Sequence, residues 1–130
     1  AADFLLGVCE SWMTPALFLS VAFIAGSVIS FFTGSSWGTF AICIPIAVPM
    51  AYSFTGGQLG TLVYAAVGAV VSGGLFGDHC SPVSDTTVLS SLGAACDHID
   101  HVRTQLPYAL LAAAVSIILW IVVALVGGAV

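Results

Sequence analysis

From Ser11 to Gly77 the chain runs for 67 residues without one Asp, Glu, Lys or Arg. No other feature restricts the fold so severely. A soluble domain needs strongly hydrated groups over its exterior, and a stretch of this length has none. A second uncharged stretch, Thr104 to Val130, adds 27 residues. A helix that crosses a bilayer takes roughly 20 apolar residues. The first stretch therefore holds about three such segments and the second holds one. Over all 130 residues, charged side chains are 5% and apolar ones 60%, where about a quarter charged is usual for soluble proteins. The expected fold class is an all-α integral membrane protein. It has four to five hydrophobic helical segments in a single transmembrane domain over residues 1–130, with the lipid bilayer as its principal partner.

The few charges narrow the function. Lys is absent and Arg103 is the single Arg. With almost nothing to neutralise phosphates, nucleic acid is excluded as a partner. Four of the six acids lie between residues 78 and 100, so the net charge of -5 is a local feature and not an acidic tail. Cys9, Cys43, Cys80 and Cys96 are widely spaced with no CxxC pair. Two disulfides among them can be drawn in three ways, and the plainer reading is four small apolar helix residues. No basic region precedes the first apolar run, so no signal peptide is expected. The chain opens on Ala1 and not on Met, so a fragment of something longer is the expectation.

Segment one spans Thr14 to Phe32, with Pro15 in its first turn, where a missing N–H costs nothing. Thr33-Gly34-Ser35-Ser36-Trp37-Gly38-Thr39 is a poor helix former, and the backbone is expected to unwind there. Segment two starts at Trp37 or Thr39 and reaches Met50 or Phe54. Pro45 and Pro49 each remove a backbone hydrogen bond, which points to a half helix. Segment three runs from Gln58 to Phe76. Its Ala65, Ala69, Gly73 and Gly77 fall on one face, where a neighbouring backbone can approach closely. Pro82 after Ser81 reads as a cap and first-turn proline for a short segment four, Pro82 to Ala95. Segments three and four form either one broken crossing or a span plus a re-entrant half helix. Segment five, Leu106 to Val126, has Pro107 in its first turn and Trp120 as an internal packing residue. The charged loop Asp97–Arg103 precedes it.

An ionisable group at bilayer depth is costly, and so is a functional candidate by default. Asp78 and Asp85 flank the break between segments three and four. Unwound backbone offers carbonyl oxygens, and half-helix N-termini offer partial positive charge. The hydroxyls of Ser81, Ser84, Thr86 and Thr87 add neutral oxygens. Such a set suits a small alkali cation or a proton. Burial disfavours the charged form of a carboxylate, and either a proton or Na⁺ relieves that. Occupancy by one or the other is the physical core of exchange. The stretch from Thr33 to Thr39 is the second candidate. There Ser35, Ser36 and Thr39 supply oxygens, Trp37 packs beside the site or gates it, and the two breaks meet. The plainer alternatives are a helix cap in a wet loop and a simple helix-to-helix turn. Asp97, His98, Asp100 and His101 lie within five residues and raise zinc, but an Asp100–Arg103 ion pair explains them as well. Neighbouring His79 does not make Cys80 a nucleophile, because adjacency in sequence is not catalytic geometry. No enzyme activity and no cofactor is expected.

Three stretches carry a family resemblance. Thr33-Gly34-Ser35-Ser36-Trp37-Gly38-Thr39-Phe40 with Pro45-Ile46-Ala47-Val48-Pro49 resembles the second half of the NhaC-type Na⁺/H⁺ antiporters. Gly77-Asp78-His79-Cys80-Ser81-Pro82-Val83-Ser84-Asp85-Thr86-Thr87 is similar to that family's most distinctive motif. Asp97-His98-Ile99-Asp100-His101-Val102, then Thr104-Gln105-Leu106-Pro107-Tyr108, is similar to a third. They stand in the family's order and cover nearly the whole chain.

The resemblance implies a secondary transporter with discontinuous helices in two inverted repeats, of which this is the C-terminal one. It implies that Asp78, Ser81, Ser84, Asp85 and Thr86 line the path of Na⁺ and H⁺, with Ser35, Ser36 and Thr39 opposite. It also implies a multi-pass protein of the cell inner (plasma) membrane. Family members include exchangers of organic anions such as malate and lactate, so that reaction is the alternative to Na⁺/H⁺ exchange. The family's first half is not found in these residues. A missing N-terminal half, a partner chain supplying it, or a second copy in a homo-oligomer would complete the site. Without one, the chain is a non-transporting membrane fragment or accessory subunit.

Overall fold

The computed structural model describes residues 2–9 and 11–127, the side chains at 2, 5, 6 and 9 excepted. The described residues form six helices in chain order: α1 (Ala2–Cys9), α2 (Pro15–Thr33), α3 (Ser36–Phe54), α4 (Thr61–Cys80), α5 (Asp85–Gly93) and α6 (His98–Gly127). Four of them, α2, α3, α4 and α6, are long and apolar enough to cross a membrane. At 1.5 Å per residue, the 19 to 20 residues of α2, α3 and α4 reach about 30 Å, the thickness of a hydrocarbon core. The protein is an all-α membrane protein.

Local sequence sets where the helices begin and end. Thr14 caps α2, its side chain accepting from the Leu17 N–H, and Pro15 follows in the first turn. At the other end Gly34 takes φ 66°, and its N–H closes on the Ser30 carbonyl. That left-handed cap favours glycine. Ser35 immediately caps α3, accepting from the Gly38 N–H at 3.3 Å. The unwinding expected over Thr33–Thr39 is therefore confined to Gly34 and Ser35. The half helix expected for segment two is also corrected, because α3 is a continuous 19-residue helix. The prolines stand four apart, so Ala41, Pro45 and Pro49 share one face, and all three are exposed. The carbonyls that the prolines leave unbonded lie on this face, away from the packed side, and the helix continues past them.

Helices α2 and α4 form the centre and run in the same direction. Gly26 lies against the Val70 carbonyl, Gly73 against that of Phe23 and Gly77 against that of Ser27. Ala69 and both of these α4 glycines are buried. The spacing-of-four stripe therefore does what small residues do in membranes, bringing two backbones together. Ser30 Oγ adds a cross-helix bond to the Gly74 carbonyl at 2.6 Å. Phe18, Leu19, Phe23, Ala47, Met50, Val63, Ala66 and Val70 make the apolar core between α2, α3 and α4.

Helix α6 runs antiparallel to α4. Gly127 meets Thr61, Trp120 Nε1 donates to Ser72 Oγ at 3.2 Å, and Gln105 reaches His79. Trp120 is thus the internal packing residue the sequence suggested. Only the small Ala109, Ala113 and Ala124 of α6 are buried, while Leu111, Ile118 and Leu125 point outward. This outward apolar surface suits lipid or further transmembrane helices. The helix begins at His98, not Leu106, so Pro107 lies inside it. Residues 98–103, expected as a charged loop, are its first turns. Asp97 starts them by accepting from the Ile99 and Asp100 N–H groups at 2.9 and 3.2 Å.

Candidate ion site at the break after helix α4

Helix α4 ends at Cys80 because Pro82 cannot continue it. Four residues, Ser81 to Ser84, separate it from α5. The cap of α5 is Ser84, so Pro82 stands in the turn and not in the first helical turn expected for it. Segment four accordingly shortens to Asp85–Gly93, nine residues. A full-length helix, a break and a nine-residue helix follow one another here.

Asp78 sits in the last turn of α4 and is 8% exposed. Its Oδ1 accepts a hydrogen bond of 2.5 Å from Ser84 Oγ. Ser84 is fully buried. Its oxygen also accepts from the Thr86 N–H at 3.2 Å and lies 2.8 Å from Thr86 Oγ1. One hydroxyl thus caps a half helix and holds a carboxylate. Asp78, Ser84 and Thr86 form one oxygen cluster across the break, on the N-terminal end of α5, where the helix dipole favours negative charge.

The remaining candidate residues are placed differently. Ser81 is buried and donates to the Phe31 carbonyl at 2.6 Å, tying the break to the end of α2. Asp85 is exposed, its carboxylate accepting from the Thr86 N–H at 2.9 Å. Ser35 caps α3, and Ser36 and Thr39 are buried, with Thr39 Oγ1 donating to the Ser35 carbonyl at 2.9 Å. Thr87 Oγ1 donates to the His79 carbonyl at 3.1 Å. The turn that holds Ser35 and the break that holds Ser84 do meet. A Cβ on Gly34 would stand 2.8 Å from the Val83 carbonyl oxygen. Trp37 neither packs on the oxygen cluster nor covers it. It is 81% exposed and rests edge-on against Phe40.

Asp78 and Thr86 border an open cleft of about 550 Å³ among α2, α4, α5 and α6. Phe23, Phe76 and Ala113 give it apolar walls, and His79, Gln105 and Tyr108 line it as well. Gln105 and Tyr108 belong to the third family-like stretch, but nothing in their spacing assigned them a wall of this cleft. The only signal available was that Gln105 is a rare long polar side chain beside an apolar span. The candidate zinc residues are not assembled. No group of three or more metal-ligating side chains occurs among the described residues. His98 is instead 2.7 Å from the Pro82 carbonyl through Nε2 and 3.2 Å from Ser91 Oγ through Nδ1. Cys43, Cys80 and Cys96 are free, and the side chain of Cys9 lies outside the described residues.

Comparison with known proteins decides the family. Residues 2–125 match the model of the Na⁺/H⁺ antiporter family. The chain belongs to that family. It is 37% identical over 114 residues, 88% of its length, to the malate-2H⁺/Na⁺-lactate antiporter of Bacillus subtilis strain 168. It is 34% identical over 114 residues, again 88% of its length, to the arginine/ornithine antiporter ArcD of Halobacterium salinarum. The Na⁺/H⁺ antiporter NhaC of Alkalihalophilus pseudofirmus is 32% identical over 113 residues, 87% of this chain. The matches cover 23%, 22% and 23% of those relatives, so this antiporter-family chain spans less than a quarter of their length. No solved structure matches it.

Proposed function

We propose that this antiporter-family chain is the C-terminal inverted repeat of an NhaC-type transporter that exchanges Na⁺ for H⁺ at Asp78. The observation that carries the reading is the buried Asp78 carboxylate at a helix break, held by Ser84 and bordering a cleft. A buried carboxylate needs a compensating positive charge or a proton. Na⁺ beside Asp78, with Ser84 and Thr86 as neutral oxygens, meets that need, and so does a proton on the carboxyl group. The two exclude each other, so loading one releases the other. Ser81 and the Ser35, Ser36 and Thr39 turn position the break against α2, and Asp85 attracts cations at its edge. Alternating access comes from rocking this bundle against a complementary one, supplied by an N-terminal half, a partner chain or a second copy. The setting is the plasma membrane.

A second reading has its own support. The cleft is far larger than one ion needs, and the Bacillus relative is named for malate and lactate. Organic-anion exchange coupled to Na⁺ and H⁺ uses the same carboxylate.

The test is Na⁺-driven proton movement in proteoliposomes holding the intact transporter that carries this sequence. Wild type acidifies or alkalinises the lumen when a Na⁺ gradient is imposed, and D78N does not. Retention of Na⁺-driven proton flux in D78N would overturn the assignment of Asp78. Silence of the wild type towards Na⁺ alone, with flux restored by malate or lactate, would select the second reading.

A further inference from the structure

Helix α3 carries a face that nothing among the described residues covers and that lipid does not suit. Pro45 has no N–H to give the Ala41 carbonyl, and Pro49 has none for the Pro45 carbonyl. Pro45 is the tenth of the 19 residues of α3, so both carbonyls sit near the middle of the span. Hydrocarbon tails donate no hydrogen bonds, and backbone groups left unpaired in them are costly. Ala41, Pro45 and Pro49 are exposed all the same.

The surroundings of these carbonyls have the shape of a helix seat. Gly38, Ile42, Pro45, Pro49 and Tyr52 follow one another at spacings of four and three, and all are exposed. That alternation keeps residues on one seam, along which a second helix can lie. Around its middle the seam is built from Gly38, Ala41 and the two prolines, none of which holds a neighbouring backbone far away. On one flank an apolar groove of about 190 Å³ opens between α2 and α3, with Ala22, Ile29, Ile42 and Ile46 among its walls. Side chains of one helix fill such grooves on another. The outward side of α6 differs in both respects. Leu111, Val115, Ile118, Val122 and Leu125 are bulky, and no proline follows Pro107 to free a carbonyl among them.

The occupant of the α3 face has to be apolar along its length and has to bring donors. A transmembrane helix with Ser, Thr, Asn or Gln turned towards α3 meets both needs. The matched stretch is 22–23% of the relatives, so a transporter built as they are has more than three-quarters of its polypeptide to place outside such a stretch. We propose that the Gly38–Tyr52 face of α3 is where this bundle docks against the rest of the transporter, and that its occupant is a transmembrane helix of the same polypeptide, donating to the Ala41 and Pro45 carbonyls. Helix α6 turns to lipid instead. This rests on the reading that a complementary bundle exists, and goes beyond it by naming the face that meets it. It does not depend on Asp78.

The experiment uses the intact transporter in lipid nanodiscs. The photocrosslinker p-benzoylphenylalanine is placed at Ile42, Tyr52, Ile118 or Leu125, one at a time, and the products are mapped by mass spectrometry. Positions 42 and 52 crosslink to a peptide of the same polypeptide outside residues 1–130, and positions 118 and 125 give lipid adducts. Lipid adducts at 42 and 52 would overturn the proposal. So would a product of twice the mass, which marks a second copy, or no product there at all, which marks a water-filled space. A pair of small-to-large changes tests the same face without a probe. A41L lowers the midpoint of thermal unfolding by about 2–4 °C or more, because the added side chain meets the docked helix. A114L, on the exposed side of α6, leaves it unchanged. An A41L midpoint equal to that of wild type would overturn the docking. Crosslinks as expected from a wild type without Na⁺-driven proton flux in proteoliposomes would remove the Asp78 reading and leave the α3 face standing.

Discussion

Gly77 immediately precedes Asp78, and it decides how closely α4 lies on α2. A Cβ there would overlap the Ser27 carbonyl oxygen and stand 2.8 Å from both the Phe31 nitrogen and Ser30 Cβ. Two of these three neighbours are backbone atoms of α2, which cannot swing aside as a side-chain tip does. Gly77→Ala therefore requires a shift of a whole helix. Overpacking of this sort costs about 1–3 kcal/mol, and backbone neighbours put it at the upper end, about 3 kcal/mol. The gain in helix propensity returns about 1 kcal/mol. The net loss is about 2 kcal/mol, or about 30-fold in the folding equilibrium. The internal control is Gly93→Ala, since no atom lies within 4 Å of a Cβ at Gly93. That change is neutral or stabilising by up to about 1 kcal/mol. Unfolding in mixed micelles, followed by tryptophan fluorescence, measures both. G77A should unfold at clearly lower denaturant and G93A should not. The packing argument is refuted if G77A matches wild type while G93A is the weaker of the two.

Substitutions at three further residues separate the parts of the site. Ser84→Ala removes both the Asp78 bond and the α5 cap, whereas Ser84→Gly loses only a few tenths of a kcal/mol of capping. Both should weaken Na⁺ dependence in transport assays, and S84A should also be the less stable by about 0.5–1 kcal/mol in unfolding. Ser81→Ala deletes the bond to the Phe31 carbonyl and should lower stability by about 0.6–1.7 kcal/mol, the measured scale for side-chain bonds between membrane helices; thermal unfolding in detergent reads it. Asp85→Asn alters an exposed carboxylate on its own helix N-terminus. It should raise the KM for Na⁺ several-fold without abolishing exchange, the abolition being reserved for D78N in parallel flux measurements.

What the sequence made legible follows from how far each signal reaches. Uncharged run length depends on solvent alone, so the membrane class and the room for about four apolar segments were readable directly. The break at Ser81–Ser84 was readable because Pro82 and the hydroxyl residues act locally. The stripe Ala69, Gly73 and Gly77 was readable as a close-approach face, though its partner α2 was not, since the sequence does not say which backbone arrives. Proline misled the reading of α3. Its cost depends on whether the freed carbonyls face a packed side, and the exposed line of Ala41, Pro45 and Pro49 is a tertiary fact. Charge misled the reading of residues 98–103. Hydrophilic residues there extend α6 beyond its apolar part, because a helix capped by Asp97 needs no apolar face at its exposed end. The place of Gln105 beside Asp78 was out of reach, because that wall exists only once α6 is laid against α4.

The central claim is that Na⁺ and a proton compete for Asp78. The direct measurement is equilibrium ²²Na⁺ binding to the intact transporter in detergent or nanodiscs across a pH series, in wild type and D78N. One-for-one competition predicts that, on the acid side, the apparent Kd for Na⁺ rises about tenfold for each unit fall in pH. D78N should lose this binding. Wild-type Na⁺ binding that is independent of pH, or pH-dependent binding that survives in D78N, would contradict the account.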